Sequence, residues 1–150
     1  MTLYRDANSA SDRDFVVATW ASSYKNAHAA GILASEDWPA IMHTTLTNIL
    51  ARPGTRTLVA YEPPDFLYGW IAGDTTCPLP VVYYVYCKAP FRRAGIAGGL
   101  FRALGVDPGS TFLYACSTSI VTRLRHKIRN AKFAPAAARY TNYQQERYEP

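Results

Sequence analysis

The stretch Val81–Leu104, VVYYVYCKAPFRRAGIAGGLFRAL, decides how this chain is read. Val81–Cys87 is too short for a stable helix and is rich in valine and tyrosine, which suit a pleated, buried surface, so it predicts a strand. From Gly95 onward Ile96, Leu100 and Leu104 recur at helical spacing with Ala103 on the same stripe, and Gly105 supplies a stop. Between strand and helix lies Arg92-x-x-Gly95-x-Ala97. Small residues there let an anion approach the unpaired N–H groups of a helix start, and Arg92 and Arg93 add positive charge beside its partial positive end. The segment is a candidate diphosphate cradle. Neither G-x-x-x-x-G-K-[ST] nor G-x-G-x-x-G occurs, which sets aside a P-loop nucleotidase and the dinucleotide fingerprint.

At 150 residues, 49% hydrophobic and 18% charged, the chain is expected to be one globular domain over residues 1–150 with a core that needs no staples. No linker or internal repeat divides it. No run is long and apolar enough to span a bilayer and no signal-peptide core is evident, so no membrane association is expected. Cys77, Cys87 and Cys116 are odd in number and lack metal-ligand spacing. They fit a reducing cytoplasm, and no metal is expected. His28 and His43 have no acidic or thiol neighbour at metal spacing either.

The remaining elements are read outward from this segment. Thr2–Arg5 predicts a short strand, and Ser9 with Asp12 forms a capping-box-like start to a helix from about Ala10 to Lys25. Ala27–Ser35 is a loop of small residues. Trp38, Ile41, Met42, Leu46 and Ile49 make one apolar stripe on a second helix, with Pro39 in its first turn. Arg56–Tyr61 and Leu67–Asp74 predict strands around Pro63-Pro64-Asp65, and Phe112–Cys116 another after Asp107-Pro108-Gly109. Ser119–Lys132 predicts a last helix, with further strand around Arg139–Tyr143.

Arg92, Gly95 and Ala97 fill the three defined positions of [Q/R]-x-x-G-x-[G/A]. In this the segment resembles the acyl-CoA-binding motif of the GCN5-related N-acetyltransferases (GNAT), which runs from their fourth strand into their third helix. The element order agrees over nearly the whole chain. The resemblance implies an α/β fold: a central mixed, largely antiparallel sheet with splayed parallel strands 4 and 5, flanked by about four helices. It implies an enzyme that moves an acetyl group from acetyl-CoA, a co-substrate, to a primary amine on a small molecule or protein by direct attack in a ternary complex. Carried over by position, the Val85 N–H would face the acyl carbonyl and Cys87 backbone groups the pantetheine amides, with Tyr86 between them. The amides of Arg93, Ala94, Gly95, Ile96 and Ala97 would hold the pyrophosphate, and Arg92 would order that turn. Relatives are often dimers, so a homodimer is an open expectation.

Strand alternation predicts Val81, Tyr83, Val85 and Cys87 on one face and Val82, Tyr84 and Tyr86 on the other. In some GNAT members a proton-relaying side chain stands two residues before the acyl-facing amide, which here is Tyr83. A phenol with an ordinary pKa of about 10 is a poor base at neutral pH but can order a water; core packing explains the residue as well. The chain departs from the family at the last helix. Ala131-Lys132-Phe133 stands where a Gly-Phe pair is expected, and Ile128 where many members place the tyrosine that protonates the thiolate. Ser117, Ser119 and Tyr140 are the substitute hydroxyls, unless the weakly basic thiolate leaves unassisted. Inside the motif helix, Gly98 and Gly99 cost about 1 kcal/mol each relative to alanine, which points to close packing against a strand or the coenzyme.

Net charge is +5, and Arg123, Arg125, His126, Lys127, Arg129 and Lys132 crowd the last helix. That cationic face is either solvated or a docking surface, so the alternative to an enzyme is a binding module that takes nucleic acid or an acidic protein through Arg123, Arg125, Lys127 and Arg129.

Overall fold

The computed structural model describes residues 2–27, 38–91, 95–107, 109–115 and 131–133. Its elements in chain order are β1 (Leu3–Asp6), α1 (Ala10–Ala27), α2 (Trp38–Leu50), β2 (Thr55–Glu62), β3 (Phe66–Asp74), β4 (Val81–Cys87), α3 (Ile96–Leu104), β5 (Leu113–Tyr114) and β6 (Lys132–Phe133). The strands form one six-stranded sheet in chain order. Its first four strands are antiparallel, whereas β4–β5 and β5–β6 are parallel. This is the mixed α/β architecture expected, with the parallel β4–β5 pair in the expected place.

Helices cover both faces, because both faces of the central strands are apolar. On one face Val16 and Trp20 of α1 and Leu46 and Ile49 of α2 pack over Val59, Trp70 and Tyr84. On the other, Ile96, Leu100, Phe101 and Leu104 of α3 pack over Leu58, Ile71, Val82 and Val85. Two caps fix α1 and α3. The Ser9 hydroxyl accepts from the Asp12 N–H at 3.1 Å, as its spacing predicts. The Asp12 carboxylate, only 2% exposed, does not complete a capping box but takes both arms of Arg5 on β1 at 3.0 Å, tying helix to sheet. Gly105, at φ 94°, ends α3, with the Val106 N–H reaching back to the Phe101 carbonyl at 2.9 Å.

Two expectations are corrected. Lys132, read as the end of the last helix, lies in a strand: its N–H donates to the Phe112 carbonyl at 2.9 Å, and Lys132–Phe133 pairs with Leu113–Tyr114. The strand expected over Phe112–Cys116 is described as Leu113–Tyr114. The body of the last helix, and the strand expected around Arg139–Tyr143, lie outside the described residues. No helix among the described residues is long and apolar enough to cross a membrane.

Candidate functional site

β4 changes character along its length. Its ladder to β5 consists of Val81↔Leu113 and Val82↔Tyr114, while its ladder to β3 runs the whole strand, from Asp74↔Val81 to Gly69↔Cys87. Between these regimes the register with β3 slips: Gly73 faces Val82, Ala72 faces Tyr84, and Tyr83 is one residue too many. Such a bulge bends its strand and increases the local twist. It also overturns the predicted alternation. Tyr83 and Tyr84 both pack on the α1–α2 face together with Val81, and Tyr86 packs there too, whereas Val82, Val85 and Cys87 pack on the α3 face. Tyr83 therefore does not share a face with Val85 and Cys87.

The bulge also decides where backbone groups point. The Val82 carbonyl faces β5, where it accepts from the Ala115 N–H at 3.0 Å, while the Lys88 N–H faces β3, donating to the Tyr68 carbonyl at 2.8 Å. Positions separated by an even count face the same neighbour in a regular strand. One inserted residue reverses that, so Val85 and Cys87, three and one positions before Lys88, turn their backbone groups away from β3. They face the side on which the described β5 ladder has already ended.

A single 3-10 turn, Ala89–Phe91, follows β4, and α3 then starts on Gly95. Gly95 has φ 78°, no side chain caps the helix, and the first intrahelical bond runs from the Gly99 N–H to the Gly95 carbonyl at 3.1 Å. The amides of Ile96, Ala97 and Gly98 thus have no intrahelical acceptor. A Cβ on Gly95 would meet nothing within 4 Å among the described residues. Ile96 is buried and anchors the helix by its side chain while its amide stands at the start. The close packing expected for the helix glycines holds at Gly99, where a methyl group would collide with the Tyr4 hydroxyl of β1; Gly98 meets only the Arg102 guanidinium, at 3.4 Å.

Of the residues singled out by sequence, the structure brings Tyr83, Val85, Tyr86, Cys87, Gly95, Ile96 and Ala97 to one strand, one turn and one helix start. Arg92, Arg93, Ala94 and Ser117 lie outside the described residues, as do Arg123, Arg125, Lys127 and Arg129. Tyr83 is 5% exposed, and the Arg52 guanidinium lies over its ring at 5.7 Å from the centroid. That pairing spans β2, β3 and β4 and has no local sequence signal. His43 is exposed on α2, as its place off the apolar stripe predicts.

An aromatic group unmarked by the sequence borders the end of β4. The rings of Phe66, Tyr68 and Phe91 meet edge-on or tilted at 4.8–5.6 Å. The Tyr68 hydroxyl donates to the Glu62 carboxylate, which holds Glu62 below the usual carboxylate range and Tyr68 above the usual phenol range. A cavity of about 870 Å³ lies elsewhere, between α1, α2 and the start of β2, and is lined by Val16, Ala21, His43, Leu50 and Thr57 among others. The β2 end it touches pairs with the end of β3 that meets Val81, so it stands at the opposite end of the sheet from Cys87 and Gly95.

No family model and no curated protein matches this chain. Solved structures do. The aminoglycoside 6'-N-acetyltransferase AAC(6')-Ih of Acinetobacter baumannii is 12% identical, with a TM-score of 0.58 over 85% of this chain and 89% of its own. A candidate GNAT-family acetyltransferase of Staphylococcus aureus is 17% identical, with a TM-score of 0.52 over 67% and 86%. A predicted acetyltransferase of Clostridium acetobutylicum, solved with acetyl-CoA, is 16% identical, with a TM-score of 0.51 over 100% and 91%. At these identities the likeness is one of architecture, and it agrees with the sheet order and the parallel β4–β5 pair. The chain has the fold of the GCN5-related N-acetyltransferases.

Proposed function

We propose that this protein is an acyl-CoA-dependent N-acetyltransferase, with acetyl-CoA as co-substrate and a primary amine as acceptor. The observation that carries this reading is the bulge at Tyr83 next to a β5 ladder whose described part ends at Val82, because it turns Val85 and Cys87 backbone groups away from β3, toward the β5 side of β4. In that arrangement the Val85 N–H donates to the thioester carbonyl and, as attack proceeds, to the oxyanion. Cys87 backbone groups pair with the pantetheine amides. The helix start from Gly95 to Ala97, together with Arg92, Arg93 and Ala94, takes the pyrophosphate.

Attack by the amine forms the C–N bond, collapse of the tetrahedral intermediate breaks the C–S bond, and the amine's proton must leave. Tyr83 is the candidate for ordering a water that carries this proton, and Ser117 the candidate for protonating the thiolate. The Acinetobacter structure is that of an aminoglycoside N-acetyltransferase and the Clostridium one was solved with acetyl-CoA, and both agree with this reaction class.

Acetyl-CoA should raise the melting temperature of the protein, since a ligand bound only by the folded state stabilises it. An amine panel followed by free-thiol release should then identify the acceptor. No stabilisation by millimolar acetyl-CoA would end this reading. Replacing Tyr83 with phenylalanine should alter the pH dependence of turnover; an unchanged profile removes it from proton transfer.

A further inference from the structure

Lys88 directly follows β4, and its main chain is held at both ends: its N–H donates to the Tyr68 carbonyl at 2.8 Å and its carbonyl accepts from the Phe91 N–H at 2.9 Å. Its ammonium lies 5.3 Å from the ring centroid of Phe15 on α1 and 5.0 Å from that of Phe66 on β3. The residue is half-buried, yet among the described residues it forms no ion pair. Two ring faces orient an ammonium but do not neutralise it. A cation that is fixed, partly dehydrated and without a counter-ion among the described residues is ready to take an anion.

Its position says which anion. Val85 is three residues back, about 10 Å at about 3.3 Å per residue. Two residues after Tyr86, which packs on the α1–α2 face, Lys88 leaves the strand on that same face and meets Phe15 of α1, reaching as well Phe66 beside Tyr68 and Phe91 at the sheet's end; the amides of the α3 start belong to the helix on the opposite face. A coenzyme whose diphosphate sits at α3 therefore leaves Lys88 on the acceptor's side of the strand.

Resting on the acetyltransferase reading above, we infer that Lys88 is a specificity-determining residue that binds an anionic group, carboxylate or phosphate, carried by the acceptor at about 10 Å from its reacting amine. The acceptor is then an amino acid-like or phosphorylated amine rather than a polycation.

The test compares 8-aminooctanoate with its amide, 8-aminooctanamide, by thiol release from acetyl-CoA and by thermal shift of the protein–CoA complex. The wild type should favour the carboxylate at least tenfold in kcat/KM, through KM. Lys88→Met, which keeps an unbranched chain between the rings, should erase that preference while leaving the amide's kcat/KM unchanged, and Lys88→Arg should restore most of it. Equal handling of the two compounds by the wild type, in turnover and in binding, overturns the inference; so does a preference that survives in Lys88→Met.

A second arm separates the coenzyme as the source of the anion. If Lys88→Met instead weakens CoA but not dephospho-CoA, the cation belongs to the coenzyme's 3′-phosphate and the inference fails. Failure of the parent reading looks different: acetyl-CoA would then stabilise neither the wild type nor either variant.

Discussion

The two halves of β4 obey different rules. Val81 and Val82 lie between β3 and β5, laddered on both sides, buried on both faces and regular. Val85–Cys87 keeps β3 and, within the described ladder, has outrun β5. The first half is scaffold and the second is the candidate acyl cradle, and a single inserted residue, Tyr83, separates them. Both halves pair with β3, with the register shifted by one residue between them, so the site is held by the sheet rather than by a loop. The bulge lets one strand serve core and ligand at once, because the inserted residue turns the backbone groups of Val85 and Cys87 away from β3 while the pairing with β3 continues.

Removing what the second half leans on should have the largest effect. Trp70 is fully buried, stacks on Tyr84 at 5.6 Å and Tyr86 at 6.4 Å, and donates from Nε1 to the Thr19 hydroxyl at 2.8 Å. Trp70→Ala should lower unfolding free energy by about 3–5 kcal/mol in urea titrations. Acetyl-CoA affinity should fall with it, since the rings behind Val85–Cys87 lose their support. An intact affinity in the folded fraction would show that the second half of β4 does not depend on β3 packing.

Deleting Tyr83 tests the boundary itself. Without it, Val82 and Tyr84 become consecutive, the pairs Gly73↔Val82 and Ala72↔Tyr84 are kept, and the strand becomes regular. The loss of one buried aromatic side chain should cost about 3 kcal/mol. The chain should still fold, but stabilisation by acetyl-CoA should vanish as the register shift that turns the Val85 and Cys87 backbone groups away from β3 is removed. Undiminished stabilisation would mean that the bulge is incidental to binding.

Gly95→Val isolates the far end of the same path. A Cβ there meets no atom of the described residues within 4 Å, but φ 78° is strained for a β-branched residue, so stability should drop by only about 1–2 kcal/mol. Acetyl-CoA affinity should nevertheless fall at least tenfold in calorimetric titration, because the new side chain stands where the diphosphate must approach. A fall in stability with affinity unchanged would place the diphosphate elsewhere.

The scaffold half was legible in the sequence and the site half only in outline. Apolar runs and turn residues place β2, β3 and β4, and the Ile96, Leu100, Leu104 stripe with Gly105 places α3, because periodicity and caps are local properties. The bulge has no such signature. VVYYVYC reads as perfect alternation, and only the pairing with β3, whose own residues Ala72 and Gly73 sit opposite the slip, reveals that Tyr83 is surplus. The Arg52–Tyr83 and Lys88–Phe15 pairs likewise join residues distant in the chain, so composition could not announce them. Gly99 is intermediate: its cost inside a helix is visible in sequence, but the Tyr4 hydroxyl that explains it is visible only in the fold.

The smallest effect concerns the turn that leads into the first half. Cys77 lies just before β4, and burial, reinforced by the nearby Asp74 charge, pushes its thiol above the usual range. The Asp74 carboxylate is itself held by the Thr76 N–H at 2.8 Å and the Thr76 hydroxyl, so its charge is fixed beside the thiol. A raised folded pKa leaves less thiolate at a given pH, and the thiolate is the nucleophile. Alkylation of Cys77 at pH 8 should therefore be several-fold slower than that of a free cysteine, and Asp74→Asn should recover the smaller, electrostatic part of the deficit. The linkage has a definite sign. The folded state retains the proton longer, so this contribution is complete below the unfolded pKa of about 8.5 and is lost as pH rises through the higher folded value. Cys87, at the other end of the strand, is 1% exposed and packed against α3, so it should resist alkylation at every pH until the chain unfolds. Rapid modification of Cys87 in the folded protein would show that the second half of β4 opens without ligand, which burial of its side chain forbids.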